Sequence, residues 1–244
     1  MERKEISFLA YAAKPHEMKL KKWRFPIIGS VPYKGYFKKA DRDKLISKLQ
    51  SQGYETHSTY ATAFSFLGFI PDPVYQSMLE RSRLKLAHLI FHELTHKTFW
   101  MPKDVPFNEN MAEFIAGKLT ESYARAYKLE SELEVYKKNR KNRIKFGAWL
   151  RSFKTDLEKI YASNLPAEEI EKQKKTAILE NTRKGIEMLG KSYKWIKKET
   201  WNNPRILSNL VYLPKLAPFE KAYACWNSKK PSSEFMAGGF LTAP

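Results

Sequence analysis

The hydrophobic pattern divides the chain into a first third of short extended pieces and a remainder of helical repeats. Ile6 to Ala13 is an unbroken apolar and aromatic run and predicts a strand. Trp23 to Gly29 predicts a second one, interrupted by proline and glycine, and Val31 to Phe37 carries the punctuation of a turn between short extended segments. Leu45, Ile46 and Leu49 recur at helical spacing within Asp41 to Gln52, and Gly53 is placed to stop that helix. Tyr54 to Phe69 is rich in Thr, Tyr and Phe, which favours strands or a hairpin, and Pro71-Asp72-Pro73 closes the section.

From residue 84 onward the period is helical. Leu84 to Phe99 has no Gly or Pro, and Leu86, Leu89, Ile90 and Leu94 supply an apolar face. A loop with Pro102 and Pro106 precedes a helix from about Asn108 to Ala126. Further helices are expected near 129–146, 147–163, 167–200 and 205–212, with Pro214 ending the last. Lys229 to Pro244, with its proline, glycine and small residues, predicts a poorly ordered tail. The expected fold class is therefore α+β and mostly helical, one domain over 1–228 with a mixed part to residue 80 and a helical part from 81.

Composition narrows the class of protein. Fifteen Phe, thirteen Tyr and six Trp exclude a disordered chain. No apolar run approaches the roughly 20 residues of a membrane-spanning helix. The opening Met-Glu-Arg-Lys-Glu-Ile-Ser-Phe-Leu does not have the pattern of a secretory signal. A single cysteine, Cys225, excludes an intrachain disulfide and any cysteine-built zinc ribbon, so a metal would be held by His, Asp and Glu. The formal charge of +18 favours anionic partners, and its densest block, Lys137 to Lys145, has six cations and no acid. That block reads first as a solvated helix face; an anionic membrane surface is the next reading. Nucleic acid is not expected, since no RNA-binding or finger signature accompanies the charge.

The candidate chemistry lies in His92-Glu93-Leu94-Thr95-His96, an HExxH motif inside the helix expected over 84–99. Positions i and i+4 differ by about 40° in azimuth and one turn in rise, so both imidazoles face one point. That suits two ligands of a tetrahedral zinc ion, with Glu93 displaced around the helix and able to reach a water on the metal. Five histidines make a chance His pair at this spacing an event of about 0.1 per chain, before the Glu is required. Asn108-Glu109-Asn110-Met111-Ala112-Glu113 then places two carboxylates one turn apart on the next helix. Glu109 can complete the metal set and Glu113 can accept a hydrogen bond from a ligand histidine. His88, four residues before His92, is expected to be a neighbour of the site rather than a ligand.

These residues resemble the bacterial putative aminopeptidase family of HExxH zinc metallopeptidases. The resemblance runs from near Ile6 to about Phe219. It rests on Trp23-Arg24-Phe25-Pro26 through Phe37, Ala63 to Phe69, Asp72-Pro73, Ile90 to His96 and Phe107-Asn108-Glu109. Leu157 to Ala162, Asn202-Asn203 and Tyr212 match more loosely. The resemblance implies a gluzincin-like zincin fold with a small N-terminal sheet packed on the HExxH helix. It also implies zinc held by His92, His96 and Glu109 with Glu113 in support, Glu93 as the general base, and a peptide substrate. Segment 60–69 would be the edge strand that pairs with substrate, and Tyr212 is the candidate oxyanion helper. Relatives usually carry a further N-terminal region with an export or lipid-attachment signal, which would place them at the cell envelope; this sequence as it stands fits the cytoplasm. No Gly-Ala-Met-Glu-Asn segment, the amino-terminus reader of the well-known aminopeptidases, occurs here. The alternative expectation is a catalytically silent zincin scaffold that docks a partner or an anionic membrane through its basic helices.

Overall fold

A computed structural model describes residues 7–25, 29–61, 79–101, 104–211 and 213–228. The fold is α+β and mostly helical with a small antiparallel sheet. Strand β1 (Ser7–Ala13) is central, pairing with β4 (Lys34–Tyr36) on one side and β5 (Glu55–Ala61) on the other. Its pairs run Phe8 to Tyr36 and Tyr11 to His57, both antiparallel. Strands β2 (Trp23–Phe25) and β3 (Gly29–Val31) form a separate two-stranded ribbon. Nearly every position of β1 is buried. That explains why the run is continuously apolar instead of alternating: both of its faces are covered.

Helix α1 (Lys39–Ser51) follows β4, and then come α2 (Arg83–Thr98) and α3 (Val105–Ala126), which carry the HExxH motif and the Asn-Glu motif. Beyond them lie α4 (Glu130–Tyr161), α5 (Ala167–Leu189), α6 (Asn203–Val211) and α7 (Ala217–Ser228). None of the described helices is long and apolar enough to cross a membrane.

Three expectations are corrected here. The helices expected at 129–146 and 147–163 are one helix, α4. Gly147 costs a helix interior only about 1 kcal/mol, too little to break a helix whose Phe146, Trp149, Leu150, Phe153 and Leu157 all enter the main core. The helix expected over 167–200 stops at Leu189, because Gly190 has φ +77° and a 3-10 helix, Lys191–Lys198, follows. Helix α7 was not expected at all, since Pro218 reads as a terminator. Pro218 instead occupies the first turn, where its missing N–H costs nothing, and Phe219 stacks near Phe114 and Phe107 of α3.

The sheet also sits differently from the expectation. Among the described residues the strands pack chiefly against α1 and α6, whereas α2 packs chiefly against α3. A buried polar knot fixes the sheet to the helical part. Lys174 of α5, 2% exposed, pairs with Glu55 of β5 and donates to the Pro15 carbonyl at 2.8 Å. Glu55 also accepts from the Asn203 backbone N–H at 3.0 Å, and the Asn203 amide donates to Pro15 O at 2.7 Å. The Tyr161 hydroxyl completes it, donating to Asn203 Oδ1 at 2.7 Å. Each of these buried polar groups has a partner, the condition for burying them at all.

Two predictions arise from this packing. Gly185 of α5 faces Trp149, where an added Cβ would lie 2.5 Å from the indole. The helix propensity of Ala would favour Gly185→Ala by about 1 kcal/mol, but overpacking a buried, hydrogen-bonded indole costs roughly 1–3 kcal/mol. The variant is expected to melt lower than wild type in scanning calorimetry. His57, half-buried opposite Tyr11, is held down to about 4 by burial and by the Arg205 charge. An unfolded histidine protonates near pH 6.5, so between those values the unfolded chain binds more protons. The stabilisation is full above about pH 6.5 and is lost as pH falls towards 4. Urea midpoints measured from pH 7 to 4 should fall, and fall less steeply in His57→Phe.

Candidate metal centre

Helices α2 and α3 form a hairpin whose turn is fixed by local hydrogen bonds. Helix α2 ends at Phe99 in extended backbone (φ −141°, ψ 126°). Asp104 caps α3, its Oδ1 accepting from Phe107 N at 3.0 Å. Asn108, 2% exposed, clamps the loop from the other side. Its Nδ2 donates to Met101 O at 2.8 Å and its Oδ1 accepts from Met101 N at 2.7 Å. The residue just before Glu109 thus ties the end of the histidine helix to the start of the carboxylate helix.

The hairpin turns the histidine face of α2, not its apolar one, towards α3. Leu84 and Thr95 are the buried residues of α2, while Ile90 and Leu94 of the expected apolar face remain 48% and 51% exposed. The reason lies across the gap, where α3 presents Glu109 and Glu113. His92 Nε2 and His96 Nε2 are 3.2 Å apart, and Glu109 places Oε2 3.4 Å from His92 Nε2 and Oε1 3.4 Å from His96 Nε2. The two histidines act on the Glu109 carboxylate through these contacts. They hold Glu109 down at about 2, outweighing the burial that alone would raise it. His92 moves the other way: burial lowers it, but Glu109, Glu93 and Glu113 together raise it above the ordinary histidine value.

The triangle can be compared with what a zinc ion requires. Four donors at about 2.0–2.1 Å in a tetrahedron lie roughly 3.3 Å from one another. The His92–His96 separation, 3.2 Å, fits that spacing, and each imidazole Nε2 has its own Glu109 oxygen at 3.4 Å. His92, His96 and Glu109 could therefore hold one metal ion, and the imidazoles are largely buried while the carboxylate is open to solvent.

Glu113 lies behind this triangle and is buried. Its Oε2 is 3.2 Å from His88 Nε2 and 4.0 Å from His92 Nδ1, and its Oε1 accepts from Arg143 at 3.0 Å. The His88 hydrogen bond and the Arg143 charge hold its carboxyl at about 2, against the burial that would raise it. His88, His92 and Glu113 also lie within ligand reach of one another. That group would use the other face of the His92 ring, and Arg143 already places a cation on its carboxylate, so its chemistry is that of support.

Of the residues singled out in the sequence, His92, His96, Glu109 and Glu113 are brought together, and Glu93 is half-buried beside His92. Tyr212 lies outside the described residues, as does all of the expected edge strand 60–69 beyond the end of β5. Two participants carried no signal of their own, Tyr136, whose hydroxyl is 2.7 Å from His88 Nδ1, and Arg143; Asn108 was visible as part of the Asn-Glu motif, but not its clamp on Met101. Arg143 belongs to the basic block 137–145, which offers fewer cations to a surface than its sequence suggests. Arg143 faces Glu113, Arg140 faces Glu121 at 3.8 Å and Lys137 faces Glu134 at 3.4 Å, leaving Lys138, Lys141 and Lys145 outward.

The fold is thus mostly helical with a small sheet, and two histidines and a glutamate meet on one of its helical hairpins. The chain belongs to the family described as Putative aminopeptidase, whose model matches residues 1–236. No curated protein and no solved structure matches the chain.

The Asn108 clamp carries its own prediction. Asn108→Ala leaves Met101 N–H and C=O without their side-chain partner, at a cost of roughly 1–3 kcal/mol. Urea denaturation of the metal-free variant should show a lowered midpoint of about that size.

Proposed function

We propose that the chain is a zinc-dependent peptidase, acting on peptides as an aminopeptidase. His92, His96 and Glu109 are its metal ligands, Glu93 is its general base and Glu113 supports the ligand histidines. The observation that carries the reading is the convergence of His92 Nε2 and His96 Nε2, 3.2 Å apart, with a Glu109 oxygen 3.4 Å from each, a grouping suited to one zinc ion. Peptide cleavage, and its direction from the amino end, rest on membership of the family.

Zinc in this site supplies a Lewis acid that brings the pKa of water towards about 7 and polarises a carbonyl. The protein's part is to orient the ligands and to move protons. Both histidine Nε2 atoms must present lone pairs to the same point, so each ring carries its proton on Nδ1. Glu113 Oε2, beside His92 Nδ1, favours that tautomer. Glu93 precedes the second histidine by three residues and projects from the same turn as the first. Its carboxylate takes the proton from the attacking water and delivers it to the nitrogen of the leaving amine. Tyr212 remains the candidate for stabilising the oxyanion.

Glu93→Gln tests the assignment: it is expected to keep zinc in stoichiometric amount and to lose at least about a hundredfold in kcat. His96→Ala is expected to lose both metal and turnover. Metal analysis beside peptide hydrolysis checks the pair, and undiminished hydrolysis by Glu93→Gln would overturn the mechanism. The rival reading, a silent scaffold on an anionic membrane, has the outward Lys138, Lys141 and Lys145 as its footing. It requires salt-sensitive vesicle binding without hydrolysis of any peptide.

A further inference from the structure

The carboxylate behind the metal triangle is held by a chain of donors that leaves it little freedom. Glu113 as a carboxylate only accepts, so His88 Nε2 carries the proton in the 3.2 Å contact. On the far side of the ring, His88 Nδ1 lies 2.7 Å from the Tyr136 hydroxyl. On the other oxygen, Arg143 donates at 3.0 Å. Oε1 thus answers to Arg143, while Oε2 is held by His88 and stands 4.0 Å from His92 Nδ1. That last separation exceeds a hydrogen bond and closes to one with a shift of about 1 Å.

We propose that Arg143 is a positioning residue for the metal centre. By gripping Glu113 Oε1 it fixes the plane of the carboxylate, so that Oε2 is aimed at the Nδ1 of ligand His92. His88, itself in contact with Tyr136, holds the second oxygen. The chain of contacts joins three helices: Arg143 and Tyr136 come from α4, Glu113 from α3, and His88 and His92 from α2. Without Arg143 the carboxylate can turn about its terminal bonds, and Oε2 is no longer kept within about one shift of His92 Nδ1. The inference rests on the metal reading above and extends it to a residue thirty positions from Glu113 in sequence. It also gives a function to one cation of a block that otherwise reads as a solvated face.

The test is zinc affinity, measured by competition with a chromophoric chelator on the full chain, for wild type, Arg143→Gln, Arg143→Lys and Lys141→Gln. Loss of a group that orients a metal ligand typically costs tenfold to a hundredfold in affinity, so Arg143→Gln is expected to weaken binding by about that factor. Arg143→Lys keeps the charge and should recover part of it. Lys141→Gln removes the same charge from the outward face of the same helix and should bind zinc as wild type does. The visible spectrum of the cobalt-substituted protein should change in Arg143→Gln and not in Lys141→Gln, a signature that a role in stability alone would not move. Circular dichroism of the metal-free variants verifies that each is folded; an unfolded Arg143→Gln passes the decision to Arg143→Lys, for which wild-type affinity and spectrum overturn the inference. Wild-type affinity in a folded Arg143→Gln, with His96→Ala devoid of zinc, overturns the role of Arg143 and leaves the metal site standing. A wild-type protein that takes up no zinc overturns the metal reading and this inference with it.

Discussion

A buried carboxylate has to be matched where it stands, and Glu113 is the group whose matching organises the functional half of this protein. Removing an isolated charge from water costs far more than any one contact returns, so Glu113 is tolerable only with donors on both oxygens. His88 and Arg143 are those donors, and they come from different helices. Satisfying one acid therefore brings α2, α3 and α4 into a fixed relation. The cluster of His92, His96 and Glu109 lies on the near side of that arrangement, with Glu109 one turn from Glu113 and His92 one turn from His88. Neighbouring apolar contacts serve the same end: Leu84 of α2, Ala124 of α3 and Leu133 of α4 form a small core beside it.

The N-terminal sheet depends on a second polar knot of the same logic. Lys174, Glu55 and Asn203 are deep in the protein, and each spends its hydrogen-bonding capacity on another segment. Lys174 lies on α5, outside the α2–α3 hairpin that carries His92 and His96. Its effect is architectural, binding β5 and the segment after β1 to α5 and α6. The larger aromatic core, around Trp149, Phe153 and Trp201, then packs α4 against α5 and the turn that follows. Helix α4 belongs to both halves, since its early residues reach Glu113 and its late ones fill this core.

What could be read in the sequence is what depends on short spacing. His92 and His96 are one turn apart, and Glu109 and Glu113 are one turn apart, so each pair was legible before any tertiary structure was considered. The hairpin that joins the pairs was also legible, from the short proline-bearing loop. Long-range partners were not. Arg143 looks like its neighbours in a row of cations, and only the buried acid thirty residues earlier distinguishes it. Local signals that mean two things also misled. Pro218 can end a helix or begin one, and the contact of Phe219 with α3 decides in favour of beginning. Gly147 and Gly190 are both glycines in helical surroundings. One lies within a helix anchored by a run of core aromatics, and the other takes a positive φ and stops its helix. Ile90 and Leu94 have the period of a buried face, yet the face that meets α3 is the one with charges to match.

The central claim is that two imidazoles and one carboxylate on the hairpin converge on a single tetrahedral ion. X-ray absorption at the zinc edge, on the full chain loaded with one equivalent, addresses it most directly. The account predicts a four-coordinate shell of nitrogen and oxygen at about 2.0–2.1 Å, with the outer scattering of two imidazoles. A six-coordinate shell dominated by water, or one without imidazole scattering, would contradict it.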